Sequence, residues 1–328
     1  MRRFPMASSH TTHRLKPQRY WYTFGPNAPA LTIQPGDTII ACTRDARGLD
    51  EEMRPLPVEM KQRSDDTLYR ESNPLCGPIY VTGAEVGDTL VVNIHRIRLN
   101  RPYAWSRFMP RFGSFTGEGP GRTLLLNQPL EERLFDWHLD LEKMTATLDL
   151  PQSRLGRAEI PLRPFLGSIG VAPRFGRVEM SLSPGEYGGN MDYREVTENT
   201  TLYLPVWVKG AYLAFGDVHA AQGDGEICGV ALETTAEVTL EIGLEKGKTI
   251  SWPRLDDGQH LAAIGSTRPL EDCARLAHLE LLDWLESDYG FDRWEAFQLV
   301  SQVGSMHVAN MVDPNYTVAA RFPKRYLP

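Results

Sequence analysis

Short apolar segments separated by glycine, proline and aspartate turns recur over the first 265 residues, and they restrict the fold most strongly. One such phrase joins residues 30–33 to residues 38–41 through the turn Pro35-Gly36-Asp37, and a weaker echo surrounds Gly87-Asp88. Apolar, β-branched runs bounded by such turns are typical of strands and hairpins. The pattern predicts a mainly β protein with a β-sandwich or jelly-roll-like body rather than a parallel βαβ fold.

The sequence changes character near residue 266. Apolar residues then recur at helical spacing, and Thr267 and Pro269 suit the cap and first turn of a helix. A second short helix is expected to begin at Asp292, because an acidic capping-box residue follows three positions later. We therefore expect a C-terminal helical pair over about residues 267–304, followed by a final strand after residue 315.

The chain of 328 residues is long enough for one large or two ordinary domains, and its 41% hydrophobic content supports a sizeable core. Residues 1–28 are polar and show no clear period, so we assign them to an N-terminal arm. Residues 29–328 form the main domain in this division. Within it, residues 50–73 are rich in charge and proline and are expected to form a long surface excursion.

Charge and composition argue against several classes of partner. The formal charge of -7 argues against a nucleic-acid polyanion. The sequence contains no stretch of about 18 apolar residues, so no membrane span is expected. The segment after Arg2-Arg3 is too short and polar for a signal peptide. Four cysteines without a CxxC pair argue against a thiolate zinc site. These features together predict a cytoplasmic protein.

The densest group of chemically active residues is Gly216-Asp217-Val218-His219-Ala220-Ala221-Gln222-Gly223-Asp224-Gly225-Glu226, which follows an apolar run. If Asp217 and His219 end a strand, their i, i+2 spacing puts both side chains on one face. A carboxylate beside an imidazole suits either a divalent metal or a proton-transfer pair. The spacing alone leaves both interpretations open.

Three further positions are candidates from local pattern. Asn190 and Asp192 are also spaced i, i+2, so Asp192 is a candidate metal ligand and Asn190 could orient an amide or carbonyl group. Asp45 lies at the end of the first predicted hairpin, where charges are usually solvated, and is a weaker candidate. Cys228 would need a nearby base to act as a nucleophile, and His219 could serve. Its alternative role is that of a small buried residue.

Several phrases besides the His219 motif are informative when taken together. They are Gly77-Pro78-Ile79-Tyr80-Val81, Gly83-Ala84-Glu85, Gly87-Asp88-Thr89, Gly167-Ser168-Ile169-Gly170-Val171-Ala172-Pro173, Gly188-Gly189-Asn190-Met191-Asp192, Trp252-Pro253-Arg254 and Asn310-Met311-Val312-Asp313-Pro314. In this order, from about residue 20 to residue 322, the chain resembles the acetamidase/formamidase family. The resemblance implies a β-sandwich-type fold with added helices and the hydrolysis of short aliphatic amides to a carboxylate and ammonia. It also implies a divalent metal near the acidic motif.

The hypothesis that follows is metal-assisted amide hydrolysis. Asp192, Asp217 and His219 would hold a divalent ion, zinc or alternatively calcium, which lowers the pKa of bound water. Glu226 or Asp224, with His219 nearby, would take the water proton and deliver it to the leaving nitrogen, because an amide expels ammonia far more readily than an amide anion.

Asn190, Gln222 and backbone N–H groups of the glycine turns would stabilise the oxyanion. One alternative is an amidase that uses Cys228 as nucleophile, with His219 as base. Another is a non-catalytic jelly-roll module whose acidic loop binds calcium or a small molecule. The expected partners are a small amide substrate and further copies of the chain in a homo-oligomer.

Overall fold

The structure, a computed structural model, describes residues 10–62, 71–109, 112–114 and 131–328. Two sequence predictions fall partly elsewhere. Residues 1–9 of the predicted arm and residues 63–70 of the predicted excursion lie outside the described residues.

Within the described residues the chain forms 22 strands and two α-helices. The first eleven strands are Thr12–Leu15 (β1), Thr23–Phe24 (β2), Leu31–Ile33 (β3), Thr38–Cys42 (β4), Leu75–Val81 (β5), Thr89–Leu99 (β6), Tyr103–Phe108 (β7), Arg133–Asp140 (β8), Thr145–Leu150 (β9), Gly156–Pro161 (β10) and Phe165–Gly170 (β11). The next nine are Glu179–Met180 (β12), Pro184–Gly185 (β13), Gly188–Asn190 (β14), Thr200–Pro205 (β15), Leu213–His219 (β16), Glu233–Thr234 (β17), Ala236–Glu245 (β18), Arg254–Asp256 (β19) and His260–Thr267 (β20). The helices Leu270–Tyr289 (α1) and Arg293–Val303 (α2) precede the last strands, Ser305–Asn310 (β21) and Tyr316–Pro323 (β22).

Two large open sheets contain most of these strands. The first sheet has the order β1-β4-β18-β6-β15-β19-β20-β22-β21. The second has the order β10-β9-β8-β7-β17-β16-β11-β14-β13, and β5 joins it by pairing with both β16 and β3. Strands pair in antiparallel fashion except in the pairs β1–β4 and β3–β5. The prediction of a mainly β, sandwich-like body with a C-terminal helical pair is confirmed.

Alternating burial along the strands builds the main core. In β18, Ala236, Val238, Leu240 and Ile242 are fully buried, whereas the residues between them are partly exposed. Successive side chains of a strand point to opposite faces, so one face packs inward while the other meets solvent. Apolar residues from both sheets contribute to one continuous cluster in this way. Removal of their surface from water, worth roughly 25 cal/mol per Å², stabilises the pairing of the sheets.

Two aspartates close equivalent corners at the phrases that the sequence repeats. Asp37 Oδ2 accepts the N–H of Gln34 at 3.0 Å, and Asp88 Oδ2 accepts the N–H of Glu85 at 2.8 Å. Each corner carries the chain from the second sheet to the first, from β3 to β4 and from β5 to β6. The predicted first hairpin is therefore wrong, because β3 and β4 pair with strands distant in sequence rather than with each other.

The two helices pack on one end of the first sheet. α1 lies against β20 and β22, and its apolar face forms a second core cluster with these strands. Asp292 caps α2 by accepting the N–H groups of Trp294 and Glu295, as predicted. The prediction that Thr267 caps α1 is wrong, because Thr267 is still paired with β22 and Pro269 takes the N-cap position. Among the described residues, no helix is both long and apolar enough to cross a membrane.

Candidate functional site

The candidate site begins at the end of β16, a strand that is buried along its whole length. Its last residues include Asp217 and His219, whose Oδ2 and Nε2 atoms lie 3.4 Å apart. Asp217 has a φ of 54°, a left-handed conformation that costs a non-glycine residue free energy. Such conformations persist where the surrounding structure requires them, often at functional sites. The left-handed conformation of Asp217 therefore indicates that the end of β16 is a candidate functional position.

Glu233 joins this pair from the neighbouring strand β17. His219 and Glu233 are register partners, and His219 Nε2 lies 3.3 Å from Glu233 Oε1. Both side chains are buried. Glu233 was not identified from the sequence, because it begins a segment in which polar and apolar residues simply alternate. Only the pairing of β16 with β17 reveals that the imidazole lies between two carboxylates.

Gln222 fixes the orientation of the imidazole. Its Nε2 donates to the backbone carbonyls of Asp192 at 2.8 Å and Ala309 at 3.0 Å. Its Oε1 therefore faces His219 Nδ1 at 2.9 Å and accepts a hydrogen bond from the Nδ1–H group. This leaves Nε2 directed at Asp217 and Glu233. Gln222, which the sequence suggested for the oxyanion, thus uses its whole amide group within the protein.

The electrostatic environment of His219 favours its charged form when no cation is bound. Burial lowers the pKa of the imidazole, but the carboxylates of Glu233 and Asp217 outweigh burial and raise it to about 10. The ring also meets Phe165 edge-on, with 5.0 Å between ring centroids. A metal ion that binds Nε2 would therefore have to replace the proton on this nitrogen, because metal ligands must be deprotonated.

A second group of side chains comes from the edge of the first sheet. Asn310 ends β21 and Asp313 lies in the turn after it. Asn190 Nδ2 donates to Asp192 Oδ2 and to Asp313 Oδ2, both at 2.9 Å. Asn310 Nδ2 also lies 3.3 Å from Asp192 Oδ2. The site is thus assembled where the two sheets meet, and each sheet supplies part of it.

Two neutral side chains hold Asp217 from the other side. Asn73 Nδ2 donates to Asp217 Oδ2 at 2.7 Å, and Ser168 Oγ donates to the same oxygen at 3.3 Å. Asn73 also donates to Asn190 Oδ1, and the single hydroxyl hydrogen of Ser168 is shared between Asn190 Oδ1 and Asp217 Oδ2. Asn73 ends the predicted surface excursion and Ser168 lies within a glycine-rich strand, so neither was identified from the sequence. Their contacts connect the two groups of carboxylates.

Glu226 approaches from a short 3₁₀ turn, Asp224–Glu226, and it is buried. Burial, together with the charge of Asp217, raises its pKa to about 7 against the opposing effect of His219. A carboxylate oxygen of Glu226 lies within 4.8 Å of one of Asp192. Burial and the charge of Glu226 likewise raise the pKa of Asp192 well above its usual value.

The structure separates Asp224 from this cluster. Its carboxylate is 57% exposed and lies 3.3 Å from Arg194 Nη1. Gly225 takes a φ of 81° between the two acids, so the turn reverses direction at this residue. Glu226 is therefore the acid of this turn that reaches the site.

The donor set fits a divalent cation. Three buried carboxylate oxygens, Asp192 Oδ1, Asp217 Oδ1 and Glu233 Oε2, have no hydrogen-bond donor among the described residues. Ligand atoms of Asp217, His219 and Glu233 all lie within 4.8 Å of one another, and the same holds for Asp192, His219 and Glu226. Buried charges without partners are costly, and carboxylate oxygens with an imidazole nitrogen are ligands for such ions.

A small cavity of about 40 Å³ opens onto these groups. This volume exceeds the roughly 10–15 Å³ that a site needs to hold one water, so the cavity suits ligands of few heavy atoms. Its larger apolar lining residues are Trp105, Met109, Phe112, Leu182 and Val230. Its polar lining consists of Ser72, Asn73, Arg107, Asn190, Asp217, His219, Glu226, Glu233 and Asp313.

Two weaker candidates lie outside the cavity. Asp45 is fully buried behind it and accepts hydrogen bonds from Arg101 Nη2 at 2.7 Å and Trp105 Nε1 at 2.9 Å. Cys228 lines a neighbouring pocket of about 430 Å³, which shares Glu226 and Val230 with the cavity. Partial burial and the charge of Glu226 raise the pKa of its thiol, which is the opposite of what a thiolate nucleophile requires.

Comparisons with known proteins place this geometry in context. The sequence profile of the Acetamidase/Formamidase family matches residues 176–326. A solved structure of an acetamidase from Yersinia enterocolitica is similar, with 37% identity, a TM-score of 0.83, and coverage of 97% of this chain and 94% of that one. A formamidase from Methylophilus methylotrophus is 41% identical over 68 residues, which are 20% of this chain and 16% of the relative. An acetamidase from Mycolicibacterium smegmatis is 42% identical over 69 residues, which span 20% of this chain and 17% of the relative. The matched segments thus cover about a sixth of these two curated relatives.

Proposed function

We propose that this chain, which belongs to the acetamidase/formamidase family, hydrolyses short aliphatic amides such as formamide and acetamide to a carboxylate and ammonia. Membership of this family indicates an amidohydrolase. The observation that supports the proposal best is the burial of four carboxyl groups, those of Asp192, Asp217, Glu226 and Glu233, around one imidazole, beside a cavity of about 40 Å³. Such a cluster provides both cation ligands and a proton-transfer group next to space for a small substrate.

We propose Asp217, His219 and Glu233 as the principal ligands of a divalent cation. Gln222 occupies His219 Nδ1, so Nε2, which faces both carboxylates, is the ring nitrogen available for a metal. Asp192 and Glu226 border the same space on the other side. When bound, the cation supplies Lewis acidity towards water and the amide carbonyl. An imidazole nitrogen with carboxylate oxygens suits zinc, and the number of carboxylates makes calcium the alternative.

Glu226 is the residue that we assign to proton transfer. It lines the cavity and is buried, so its carboxyl group can exchange protons with a reactant without competing bulk solvent. Water adds to the amide carbon while its proton passes to Glu226. Glu226 then returns this proton to the amide nitrogen, the C–N bond breaks, and ammonia leaves the carboxylic acid.

The amide side chains of the site serve orientation in this proposal. Asn190 uses both N–H groups on Asp192 and Asp313, and Gln222 is fully engaged with His219 and two carbonyls. Neither has a free donor for an oxyanion. We therefore assign them to holding the carboxylates and the imidazole, in place of the oxyanion role that the sequence suggested.

Ammonia release from formamide, acetamide and propionamide tests the proposal, with protein as purified, after chelation, and after addition of Zn²⁺ or Ca²⁺. We expect release that chelation abolishes and one ion restores. Glu226→Gln should lower turnover about 10² to 10⁴-fold while the cation still binds. Cys228→Ser serves as the control and should retain activity.

Two outcomes would contradict the proposal. Release that survives chelation and collapses in Cys228→Ser would establish the thiol route. Binding of Ca²⁺ with strong thermal stabilisation, but without turnover of any amide, would indicate a binding module.

A further inference from the structure

The apolar side of the cavity is dominated by Trp105 on β7. Its indole is 1% exposed, and Trp105 is the register partner of Glu233 on β17. An amide bound with its reacting carbon near Glu226 and Glu233 must direct its acyl substituent away from the carboxylates. We expect the hydrocarbon of the acyl substituent to lie against the apolar wall that contains Trp105, because contact with apolar groups removes it from water.

Trp105 is held in place through its nitrogen. Nε1 donates to Asp45 Oδ2 at 2.9 Å, and the same oxygen accepts from Arg101 Nη2 at 2.7 Å. Arg101 and Asp45 are both fully buried. Asp45 Oδ1 in turn accepts the backbone N–H groups of Arg47 at 3.0 Å and Leu49 at 2.9 Å. A tilt of the indole away from the cavity would leave a buried N–H without an acceptor, which is unfavourable.

The faces of the indole are also occupied. The guanidinium carbon of Arg47 lies 5.3 Å from the ring centroid and that of Arg107 lies 5.6 Å from it. Guanidinium groups at such distances attract the ring electrons and resist a rotation of the ring. The wall is therefore fixed by an edge contact and by contacts over the ring. A packed interior has little free volume into which such a side chain can retreat.

We infer that Trp105, held by Asp45, limits the size of the acyl group that the cavity accepts. The inference rests on the proposed amide hydrolysis and adds the residue that determines its substrate range. A rigid indole leaves space for formyl and acetyl groups, and a smaller side chain at this position admits propionyl and butyryl groups. Discrimination by one methylene in an apolar pocket is typically about 10 to 200-fold in kcat/KM.

The test compares Trp105→Phe and Trp105→Leu with the matched control Trp137→Phe. Trp137 lies on the adjacent strand β8, and its Nε1 also donates to a side chain, Ser106 Oγ at 3.0 Å. It lines the neighbouring 430 Å³ pocket but not the 40 Å³ cavity. We expect the ratio of kcat/KM for butyramide to that for acetamide to rise at least about tenfold in both Trp105 variants. The ratio should stay within about twofold of the wild-type value in Trp137→Phe.

A binding measurement separates this inference from the proposed reaction. Calorimetric titration of acetamide and butyramide into the same three variants, each carrying Glu226→Gln, reports the size limit without turnover. Tighter butyramide binding in the Trp105 variants supports the wall even if no amide is hydrolysed. If wild-type protein hydrolyses acetamide but the Trp105 variants change neither ratio, or if Trp137→Phe changes both equally, the inference is wrong while the proposed function stands. If one Trp105 variant does not fold, the other decides.

Discussion

Gln222 Oε1 lies 2.9 Å from His219 Nδ1, while the amide nitrogen of Gln222 is held by the carbonyls of Asp192 and Ala309. The two carbonyls decide which end of the amide faces the ring, and the amide then decides which ring nitrogen carries hydrogen. Gln222, which lies outside the proposed cation ligands Asp217, His219 and Glu233, thus sets the direction of the imidazole lone pair that a cation would use. Such supporting contacts commonly tune metal affinity.

Substitution of Gln222 tests this relationship. Gln222→Leu removes the acceptor at Nδ1 and frees the ring to rotate or change its protonated nitrogen. We expect the affinity for the cation to fall about 10 to 100-fold, measured by competition with a chromophoric chelator. Gln298→Leu, on the exposed face of α2, is the control and should leave affinity unchanged. Equal affinities in the two variants would contradict the assigned role of Gln222.

Two substitutions to amides compare Glu233, which the structure places in the site, with Asp224, which it places outside the site. Glu233→Gln replaces a buried carboxylate 3.3 Å from His219 Nε2, and we expect loss of stoichiometric cation binding and of turnover. Asp224→Asn changes an exposed carboxylate paired with Arg194, and its effect on stability should stay within about 0.5 kcal/mol. For both variants, metal content after gel filtration reports cation binding, ammonia release reports turnover, and urea unfolding reports stability. A larger loss in Asp224→Asn than in Glu233→Gln would reverse the assignment.

The absence of a side chain at Gly167 allows Asp192, His219 and Asp217 to approach one another closely. A Cβ at this position would lie 2.7 Å from Asp192 Oδ1, 2.8 Å from His219 Cε1 and 3.0 Å from the Asp217 carbonyl oxygen. Gly167→Ala should therefore displace these groups, destabilise the fold by about 1 to 3 kcal/mol, and lower turnover. Gly223→Ala is the control, because its Cβ meets nothing within 4 Å. Thermal unfolding and ammonia release compare the two, and wild-type behaviour of Gly167→Ala would show that the site tolerates the added methyl group.

The corner at Asp88 predicts a dependence of stability on pH. Burial opposes ionisation of Asp88, but hydrogen bonds from Lys246 and the N–H of Gly247 outweigh burial and lower its pKa. A pKa below the unfolded value, near 3.9, means a contribution that is complete above about pH 4 and lost as pH falls through the folded-state pKa. Asp88→Asn should cost about 1 to 2 kcal/mol at pH 7.

Urea unfolding at pH 7, 5 and 3 checks this sign. The difference in the free energy of unfolding between wild type and Asp88→Asn should be largest at neutral pH and shrink at pH 3. Glu85→Gln, which changes a half-exposed carboxylate paired with Lys209, should show little difference at any pH. A difference that grows as the pH falls would contradict the contribution assigned to Asp88.

Local pattern was sufficient for the elements of this fold. The alternation in β18 and the helical spacing after residue 266 depend on periods of two and about 3.6 residues, which neighbouring residues define by themselves. Asp292 caps α2 for the same reason, since a cap acts within one turn. The proximity of Asp217 and His219 also has a local origin, because both lie at the end of one strand.

Strand partners and the complete site depended on the tertiary structure. Asp37 and Asp88 mark turns in the sequence, but only the assembled sheets show that these turns change sheets instead of forming hairpins. Glu233, Asn73 and Asp313 reach His219, Asp217 and Asn190 from distant parts of the chain. Pairing across such separations depends on which apolar faces are buried together, a property of the whole chain that no short segment encodes. The sequence by itself therefore determined the β-rich elements and one strand of the site, whereas packing of the two sheets decided which carboxylates surround the imidazole.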